Sequence, residues 1–219
     1  MRVLAGPRVD LELDRVAGAA ARALAGPEGT VASLRAVGVT DLSRPLSRAG
    51  LALLREALRG EGPGGGPADA VDAPAQPGSG AGDRTVVGYV CRGTLVGPLP
   101  GDANGAAPVV VVTDHADLTW RSPLTGPNDP SVGPRFPSVT GVYSYQVGLD
   151  CLAAVEGMIV IPGVVAGVRA DTRLTAYEAG IAATQGHVAA SSELTPVVVV
   201  AAHMGLRVAA ALVPGSGDG

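Results

Sequence analysis

The stretch from Val109 to Tyr143 reads VVVVTDHADLTWRSPLTGPNDPSVGPRFPSVTGVY and joins an apolar run to a long series of turns. Its four consecutive valines are β-branched and do not alternate with polar residues, which is typical of a strand covered on both faces. Asp114 and His115 follow at the carboxyl end of this predicted strand. Because α/β sheets bind ligands outside the carboxyl ends of their strands, the pattern predicts a functional site here.

Similar apolar runs lie on both sides of this stretch and predict a sheet flanked by helices. The predicted strands cover residues 85–91, 109–114, 157–163, 196–202 and 206–213, and the predicted helices cover 10–26, 47–59 and 171–180. The run PVVVVAAH from Pro196 to His203 stays open between a strand and a buried helix, since periodicity does not decide for a short apolar run.

The chain divides by composition into three parts. Residues 1–59 form the helical and strand-containing N-terminal part of the domain, and residues 84–219 form its core. Between them, residues 60–83 are dominated by Gly, Pro, Ala and Asp, a composition that does not bury enough apolar area to order itself. We therefore expect a flexible loop between two parts of one domain.

Charge and hydropathy exclude several classes of function. The 219 residues carry a net charge of −4, and all 16 basic residues are arginines that form no cluster, so nucleic acid is not an expected partner. The apolar runs are much shorter than the roughly 20 residues of a membrane-spanning helix. The N-terminus lacks the apolar region of a secretory signal, so we expect a cytoplasmic location. Richness in Ala, Gly, Arg and Pro is typical of a GC-rich bacterial genome.

Several familiar binding motifs are missing from the sequence. No GxGxxG follows a strand, the Gly-rich segment is not a P-loop, and no GxSxG elbow is present. The three histidines lack metal-ligand spacing, and Cys91 and Cys151 are expected to be buried apolar side chains. The sequence therefore predicts no metal site and no cofactor.

The region around His115 resembles the trimeric purine nucleoside phosphorylase family, which includes the methylthioadenosine phosphorylases. The similar elements are Asp114-His115, Asp117-Leu118, Pro123-Leu124, the Gly126-Pro127-Asn128-Asp129 loop and the Gly133-Pro134-Arg135-Phe136-Pro137 turn. A second similar stretch, ELTPVVVVAAHMGLRVAAALV, begins at Glu193, and the whole resemblance covers roughly residues 84–216.

The resemblance implies a fold, an assembly and a small-molecule substrate. The fold would be α/β and three-layered, with a central mixed sheet flanked by helices. The assembly would be a homotrimer with shared sites, in which Phe136 covers the sugar pocket of a neighbouring subunit. For Phe136 the alternative is an ordinary buried phenylalanine.

The sequence departs from the family where phosphate and purine would bind. The family's Gly-Ser-Gly phosphate loop has no counterpart after the first strand, and its purine-binding glutamate aligns with Gly167. The family's Gly-Met-Ser aligns with Ser191-Ser192-Glu193, which introduces an acid. These departures predict a scaffold that has lost phosphorolysis.

The leading hypothesis is thus a repurposed enzyme that performs cofactor-independent acid–base chemistry, such as cyclisation or isomerisation, on a small and largely apolar biosynthetic intermediate. A carboxylate in an apolar pocket has a raised pKa and serves as general acid or base near neutral pH. The candidate catalytic residues are Glu193, His115 and Asp114, and the candidate substrate-binding residues are Phe136, Arg135, Tyr143, Tyr89, Ser191 and Ser192.

Two alternatives to this function and two alternatives at the residue level stay open. The chain is an active purine nucleoside or methylthioadenosine phosphorylase, or it is a non-catalytic trimeric binding module. At the residue level, each histidine has a structural alternative, and Glu193 is alternatively a solvated acid at a helix start.

Overall fold

The computed structural model describes residues 3–7, 11–25, 31–35, 42, 46–59, 85–97, 108–153, 157–169 and 174–215. The predicted loop over residues 60–83 lies outside the described residues, so the proposed division of the chain stays a prediction.

Seven strands and five helices make up the described part of the chain. In chain order they are β1 (Val3–Ala5), α1 (Leu11–Ala25), β2 (Val31–Ser33), α2 (Arg48–Arg59), β3 (Val86–Leu95), β4 (Val109–Asp117), α3 (Tyr145–Ala153), β5 (Val160–Gly167), α4 (Ala176–Thr184), β6 (His187–Ser191), α5 (Leu194–His203) and β7 (Arg207–Pro214).

The strands form one mixed sheet in the order β2-β1-β3-β6-β5-β4-β7, and β7 also pairs with β3. The sheet therefore closes on itself through five strands, and β1 and β2 extend it on one side. Strands β4, β5 and β6 run parallel to one another, whereas β1, β3 and β7 run in the opposite direction.

Helices cover both faces of this sheet. On one face α1 and α3 pack over an apolar cluster that includes Leu13, Val16 and Leu152. On the other face α2 and α5 pack together, and the apolar cluster there includes Leu54 and Val197. The predicted α/β architecture of a mixed sheet flanked by helices is confirmed.

Individual elements differ from the sequence prediction in informative ways. The run from Pro196 to His203 is helical within α5, where Val197, Val198 and Val200 are buried against the sheet and α2. Strand β5 lies three to four residues beyond the predicted strand, because Gly157 adopts a left-handed turn (φ 73°) before it. The sequence prediction missed β6 and α3, and α4 begins later than expected.

Candidate functional site

The carboxyl ends of β4, β5 and β6 lie side by side and end at the mouth of a groove. Asp117 pairs with Gly167, and Gly167 pairs with Ser191. The groove holds about 420 Å³, including solvent at its opening. Its lining residues are Leu42, Leu46, Thr119, Arg121, Ser122, Pro123, Val168, Arg169, Ser192, Thr195 and Pro196. This is the position at which α/β sheets bind their ligands.

One wall of the groove is the turn that follows β4. Asp117 holds this turn, since its Oδ1 accepts hydrogen bonds from the Thr119 N–H at 2.9 Å and the Thr119 hydroxyl at 2.6 Å. Trp120 then adopts a left-handed backbone (φ 54°) and is 94% exposed. A left-handed tryptophan is uncommon, so the hydrogen bonds of Asp117 and Thr119 fix an unusual loop.

His115 and Tyr143 form a pair on β4 and the segment just before α3. The Tyr143 hydroxyl and His115 Nδ1 are 2.9 Å apart, and the two rings meet edge to face. Burial lowers the pKa of His115, although Asp114 and Asp117 oppose that change. Burial also raises the pKa of Tyr143. Both side chains are therefore neutral near pH 7.

Asp114 stabilises the backbone of β4. The residue is exposed, and its Oδ1 accepts the N–H of His115 at 2.8 Å. The register of β4 against β5 shifts between Val112 and Asp114, which is a local irregularity of the ladder. Asp114 is thus the neighbour of His115 in sequence, but its side chain accepts a hydrogen bond from the backbone of His115 and not from the imidazole.

Glu193 precedes α5 and is buried, with only 3% of its surface exposed. Its Oε2 accepts the backbone N–H of Arg92 at 3.3 Å and also lies against Gly6, where a Cβ would collide with it. Burial lowers the pKa of Arg92, although the negative charge of Glu193 opposes that change. Glu193 is therefore an internal carboxylate beside a buried arginine and not the solvated helix-start acid of the alternative interpretation.

A polar network surrounds Glu193 beneath the carboxyl end of β6. The Ser191 hydroxyl donates to the Arg92 carbonyl at 2.7 Å and accepts the Glu193 N–H at 3.2 Å. Cys91 Sγ lies 3.8 Å from that hydroxyl, and burial raises the pKa of the thiol. Tyr89 donates to the Glu193 carbonyl at 3.2 Å. Tyr89, which the sequence analysis named as a candidate substrate-binding residue, is fully buried in the core and does not line the groove.

Gly167 ends β5 where the resemblance aligns the purine-binding glutamate. A Cβ there would collide with the hydroxyl of Thr195 and approach the Ala116 carbonyl. Thr195 fills this space from the first turn of α5. The backbone position is therefore too close to α5 to carry a side chain.

The turn that contains Arg135 and Phe136 projects from the surface. Arg135 donates to the Gly126 carbonyl at 2.9 Å, and its guanidinium lies 5.8 Å from the Phe136 ring centre. Phe136 is 86% exposed, which excludes the alternative of a buried phenylalanine in this chain.

The structure brings some of the predicted residues together and separates others. Glu193, Ser191 and Tyr89 share one buried network, His115 and Tyr143 form a second group, and Arg135 and Phe136 lie on the exposed turn. Ser192 lines the groove. Arg121, Arg169 and Thr195 also line it and were not singled out from the sequence, because no motif marks a pocket whose residues come from three different strand ends.

Among the described residues, no group of three or more His, Cys, Asp or Glu side chains could hold a metal ion. None of the described helices is long and apolar enough to cross a membrane.

Comparison with known proteins supplies the remaining observations. No protein-family model matches the chain. Purine nucleoside phosphorylase 1 of Bacillus subtilis (strain 168) is 30% identical over 105 residues, and that of Geobacillus stearothermophilus is 31% identical over 112 residues. These matches cover 47% and 50% of this chain and 39% and 38% of the relatives. The chain thus spans about two fifths of the length of the curated relatives it matches.

Solved structures of purine nucleoside phosphorylases from Schistosoma mansoni have the same fold. Isoform 2 in complex with cytosine and ribose-1-phosphate matches with a TM-score of 0.51 and 23% identity, over 59% of this chain and 46% of that chain. A complex with a monocyclic inhibitor matches with a TM-score of 0.52 and 22% identity, over 59% and 50% of the two chains. The resemblance to the purine nucleoside phosphorylases is confirmed in sequence and in fold.

Proposed function

We propose, starting from this likeness to purine nucleoside phosphorylases, that the chain is a phosphorylase-fold enzyme that does not use phosphate. It would act without a cofactor, by acid–base chemistry such as cyclisation or isomerisation, on a small and largely apolar biosynthetic intermediate. The likeness supports the phosphorylase fold, and the chemistry of the described residues supports a reaction other than phosphorolysis.

The carboxylate of Glu193 is the observation that carries this proposal. The resemblance expects a phosphate loop after the first strand, and β1 ends beside Gly6. There the Gly6 N–H donates to the Val90 carbonyl at 2.7 Å, and Glu193 Oε2 lies against Gly6 and accepts the Arg92 N–H. The Glu193 carboxylate therefore already occupies the space beside Gly6 and accepts the Arg92 N–H. Its negative charge would repel a second anion such as phosphate. This arrangement supports the loss of phosphate binding.

His115 and Tyr143 are the acid–base pair best suited to proton transfer. The 2.9 Å contact lets a proton pass between Tyr143 and Nδ1 while Nε2 exchanges one with the substrate. A lowered histidine pKa keeps a neutral imidazole available at pH 7. Glu193 is the second candidate acid or base, and Asp114 would position His115.

The remaining predicted residues have roles in binding. Ser192 would contact the substrate from the groove, and Ser191 would position Glu193. At Gly167 a carboxylate that could hold a purine is sterically excluded. The aliphatic lining of the groove by Leu42, Leu46 and Val168 supports an apolar substrate.

We further propose a homotrimer in the cytoplasm. The exposed Phe136 and Trp120 are consistent with the assembly, in which a neighbouring subunit would cover them. Arg135 would hold Phe136 in place across the subunit boundary.

The experiment measures free base and sugar phosphate by mass spectrometry after incubation with inosine, adenosine or methylthioadenosine, with and without phosphate. We expect no phosphate-dependent cleavage, and the purine nucleoside phosphorylase of Bacillus subtilis serves as the active control. Turnover that requires phosphate would contradict the proposal. It would establish the second candidate function, nucleoside phosphorolysis, which the 30% identity to that enzyme favours.

Once a biosynthetic intermediate is found that the enzyme converts, the proposed acid–base groups can be tested directly by mutation. His115→Gln and Glu193→Gln are then each expected to reduce kcat at least tenfold, whereas Glu56→Gln on the exposed side of α2 is expected to leave it unchanged. If both variants of the proposed site keep full turnover, the assignment of the acid–base groups is wrong. Binding without any turnover would instead support a non-catalytic trimeric module.

A further inference from the structure

His203 is a buried histidine that connects three parts of the chain. It ends α5 with only 1% of its surface exposed, and its two ring nitrogens contact different elements. Arg55 on α2 lies 3.0 Å from Nε2, and the carbonyl of Pro134 in the turn lies 2.9 Å from Nδ1. A guanidinium donates hydrogen bonds and does not accept them, so the contact with Arg55 requires an Nε2 without a proton.

Protonation of His203 would keep one of these contacts and break the other. Nδ1 would still donate to the Pro134 carbonyl, whereas a proton on Nε2 would point at the Arg55 guanidinium. Two positive charges would then be in contact at a site where burial reduces their screening by water. Protonation of His203 therefore favours a state in which Arg55, and α2 with it, has moved away.

The charged groups around His203 leave this repulsion in place. Arg59, one turn after Arg55 on α2, adds a second positive charge to that helix. Asp129 is the opposing charge, but it is exposed and its Oδ1 already accepts the Ser131 N–H at 3.1 Å. Burial and the Arg55 charge lower the pKa of His203, although the hydrogen bond to the turn and the charge of Asp129 oppose that change.

The helices α2 and α5 run side by side from the groove to His203. Leu46, just before α2, and Pro196, in the first turn of α5, both line the groove. Near the other ends of the two helices, Arg55 meets His203. Apolar side chains pack between the helices. A change at His203 therefore acts on a helix whose start adjoins one wall of the groove.

Ser47 attaches this wall of the groove to α2. Its hydroxyl accepts the Gly50 N–H at 3.0 Å, and its carbonyl accepts the Leu51 N–H at 2.9 Å. Leu46 is the residue before Ser47 and also packs close to Gly50. The Leu46 side chain is therefore expected to move with α2 when the helix shifts.

We propose that His203 is a proton-operated latch for the groove. Neutral His203 accepts a hydrogen bond from Arg55 and holds α2, together with the Leu46 wall, against α5. Protonated His203 repels Arg55 and lets that wall open, so the groove is closed near neutral pH and opens in mildly acidic solution. This inference rests on the proposed function, because it takes the groove as the place where the substrate binds.

Hydrogen exchange followed by mass spectrometry tests the latch in the full chain. The protection factor, which is the intrinsic exchange rate divided by the observed rate at the same pH, is measured for residues 46–59 and for α1 at pH 7.5 and 5.0. We expect the protection of residues 46–59 to fall about fivefold or more beyond any fall in α1, because pH 5.0 lies about 1.5 units below the usual histidine pKa.

Matched variants separate the latch from a general effect of acid. His203→Gln keeps an acceptor for Arg55 that does not titrate, and Arg55→Gln can donate to the neutral imidazole or accept from the protonated one. Both are expected to remove most of the extra loss of protection. His187→Gln at the start of β6 and Arg48→Gln at the exposed start of α2 remove the same kinds of side chain elsewhere and are expected to keep it.

Urea unfolding at pH 7.5 shows whether each variant is folded. An equal loss of protection in α1 and in residues 46–59 of the wild-type chain would overturn the inference. So would a pH effect that is unchanged in a folded His203→Gln or Arg55→Gln protein.

The result is separable from that of the phosphorolysis assay. Phosphate-dependent cleavage of nucleosides would contradict the proposed function without removing a measured opening of α2 at low pH. Conversely, protection of α2 that does not depend on pH would contradict the latch and leave the loss of phosphate use supported by Glu193.

Discussion

Glu193 and Arg92 are two charged side chains that the fold removes from water in the same place. Each has a small exposed fraction, 3% and 8% respectively. The Arg92 guanidinium also donates to the Pro214 carbonyl at 2.5 Å. If one of the two charges is removed, the other stays buried without an opposite charge near it. The fold then loses more stability than it would from the loss of an exposed contact.

The first prediction concerns this pair. Glu193→Gln keeps an oxygen that accepts the Arg92 N–H but removes the charge, so we expect the free energy of unfolding to fall by about 1–3 kcal/mol. Glu56→Gln, an exposed position on α2, should change it by less than about 0.5 kcal/mol. Urea unfolding followed by circular dichroism measures both values. Equal stability of the two variants would mean that the Glu193 charge does not stabilise the fold.

The second prediction concerns pH. Burial lowers the pKa values of His115 and His203 in the folded protein, so the unfolded chain binds more protons as the pH falls below about 6.5, the usual histidine value. Stability from these neutral histidines is present above that pH and is lost as the pH falls through their folded pKa values. We expect a lower free energy of unfolding at pH 5.5 than at pH 7.5.

His203→Gln provides the control for the pH effect, because glutamine donates and accepts hydrogen bonds but does not titrate. The variant should lose part of the difference in stability between pH 7.5 and 5.5. A wild-type protein with the same unfolding free energy at both pH values would contradict the assignment.

At the scale of elements, the turn before Phe136 is attached to two helices through His203. Arg55 on α2 contacts His203 Nε2 at 3.0 Å, and the Pro134 carbonyl lies 2.9 Å from Nδ1. Because a guanidinium only donates, Nε2 is the acceptor and Nδ1 carries the proton that Pro134 accepts. One neutral histidine thus joins α2, α5 and the turn.

The third prediction tests how closely the turn approaches α5. A Cβ on Gly133 would collide with the His203 carbonyl, so Gly133→Ala should lower the free energy of unfolding by about 1–3 kcal/mol. Gly180→Ala on α4 meets no atom within 4 Å and should raise it by about 0.5–1 kcal/mol through helix propensity. Urea unfolding of both variants distinguishes the packed glycine from the open one. A Gly133→Ala protein as stable as wild type would show that the turn moves away freely.

The sequence predicted the long apolar strands better than the short elements. β3, β4 and β7 are recognisable because continuous β-branched or aliphatic runs mark buried strands. The predictions missed β6, five residues composed mainly of small side chains, and α3, which contains the poor helix former Gly148. The valines of α5 have strand propensity, and packing against the sheet and α2 decides their helical state.

The candidate site was predictable only in part for a related reason. Asp114 and His115 stand at a strand end that the sequence reveals, whereas Thr195 and Arg169 reach the groove from separate elements. The burial of Glu193 depends on Gly6, almost 190 residues earlier in the chain. Local patterns carry no information about contacts over such separations.

At the scale of the whole molecule, the fourth prediction is the trimer. Phe136 and Trp120 are 86% and 94% exposed, and in the proposed trimer a neighbouring subunit would cover them. Light scattering after size-exclusion chromatography should give three times the mass of one chain. Phe136→Ser combined with Trp120→Ser should shift the protein to a smaller species, and Tyr177→Ser, an exposed aromatic position on α4, should not. A wild-type monomer would contradict the assembly.

The pairing of β3 with β7 has a consequence for how the protein is made. Strand β3 forms a parallel ladder with a partner that begins about 120 residues later. A ribosome must therefore release β7 before the closed sheet is complete, and until then the unpaired edges of β3 and β4 are open to other chains. We therefore expect an aggregation-sensitive interval during biosynthesis, in which more chaperone and a lower translation temperature raise the yield of native protein.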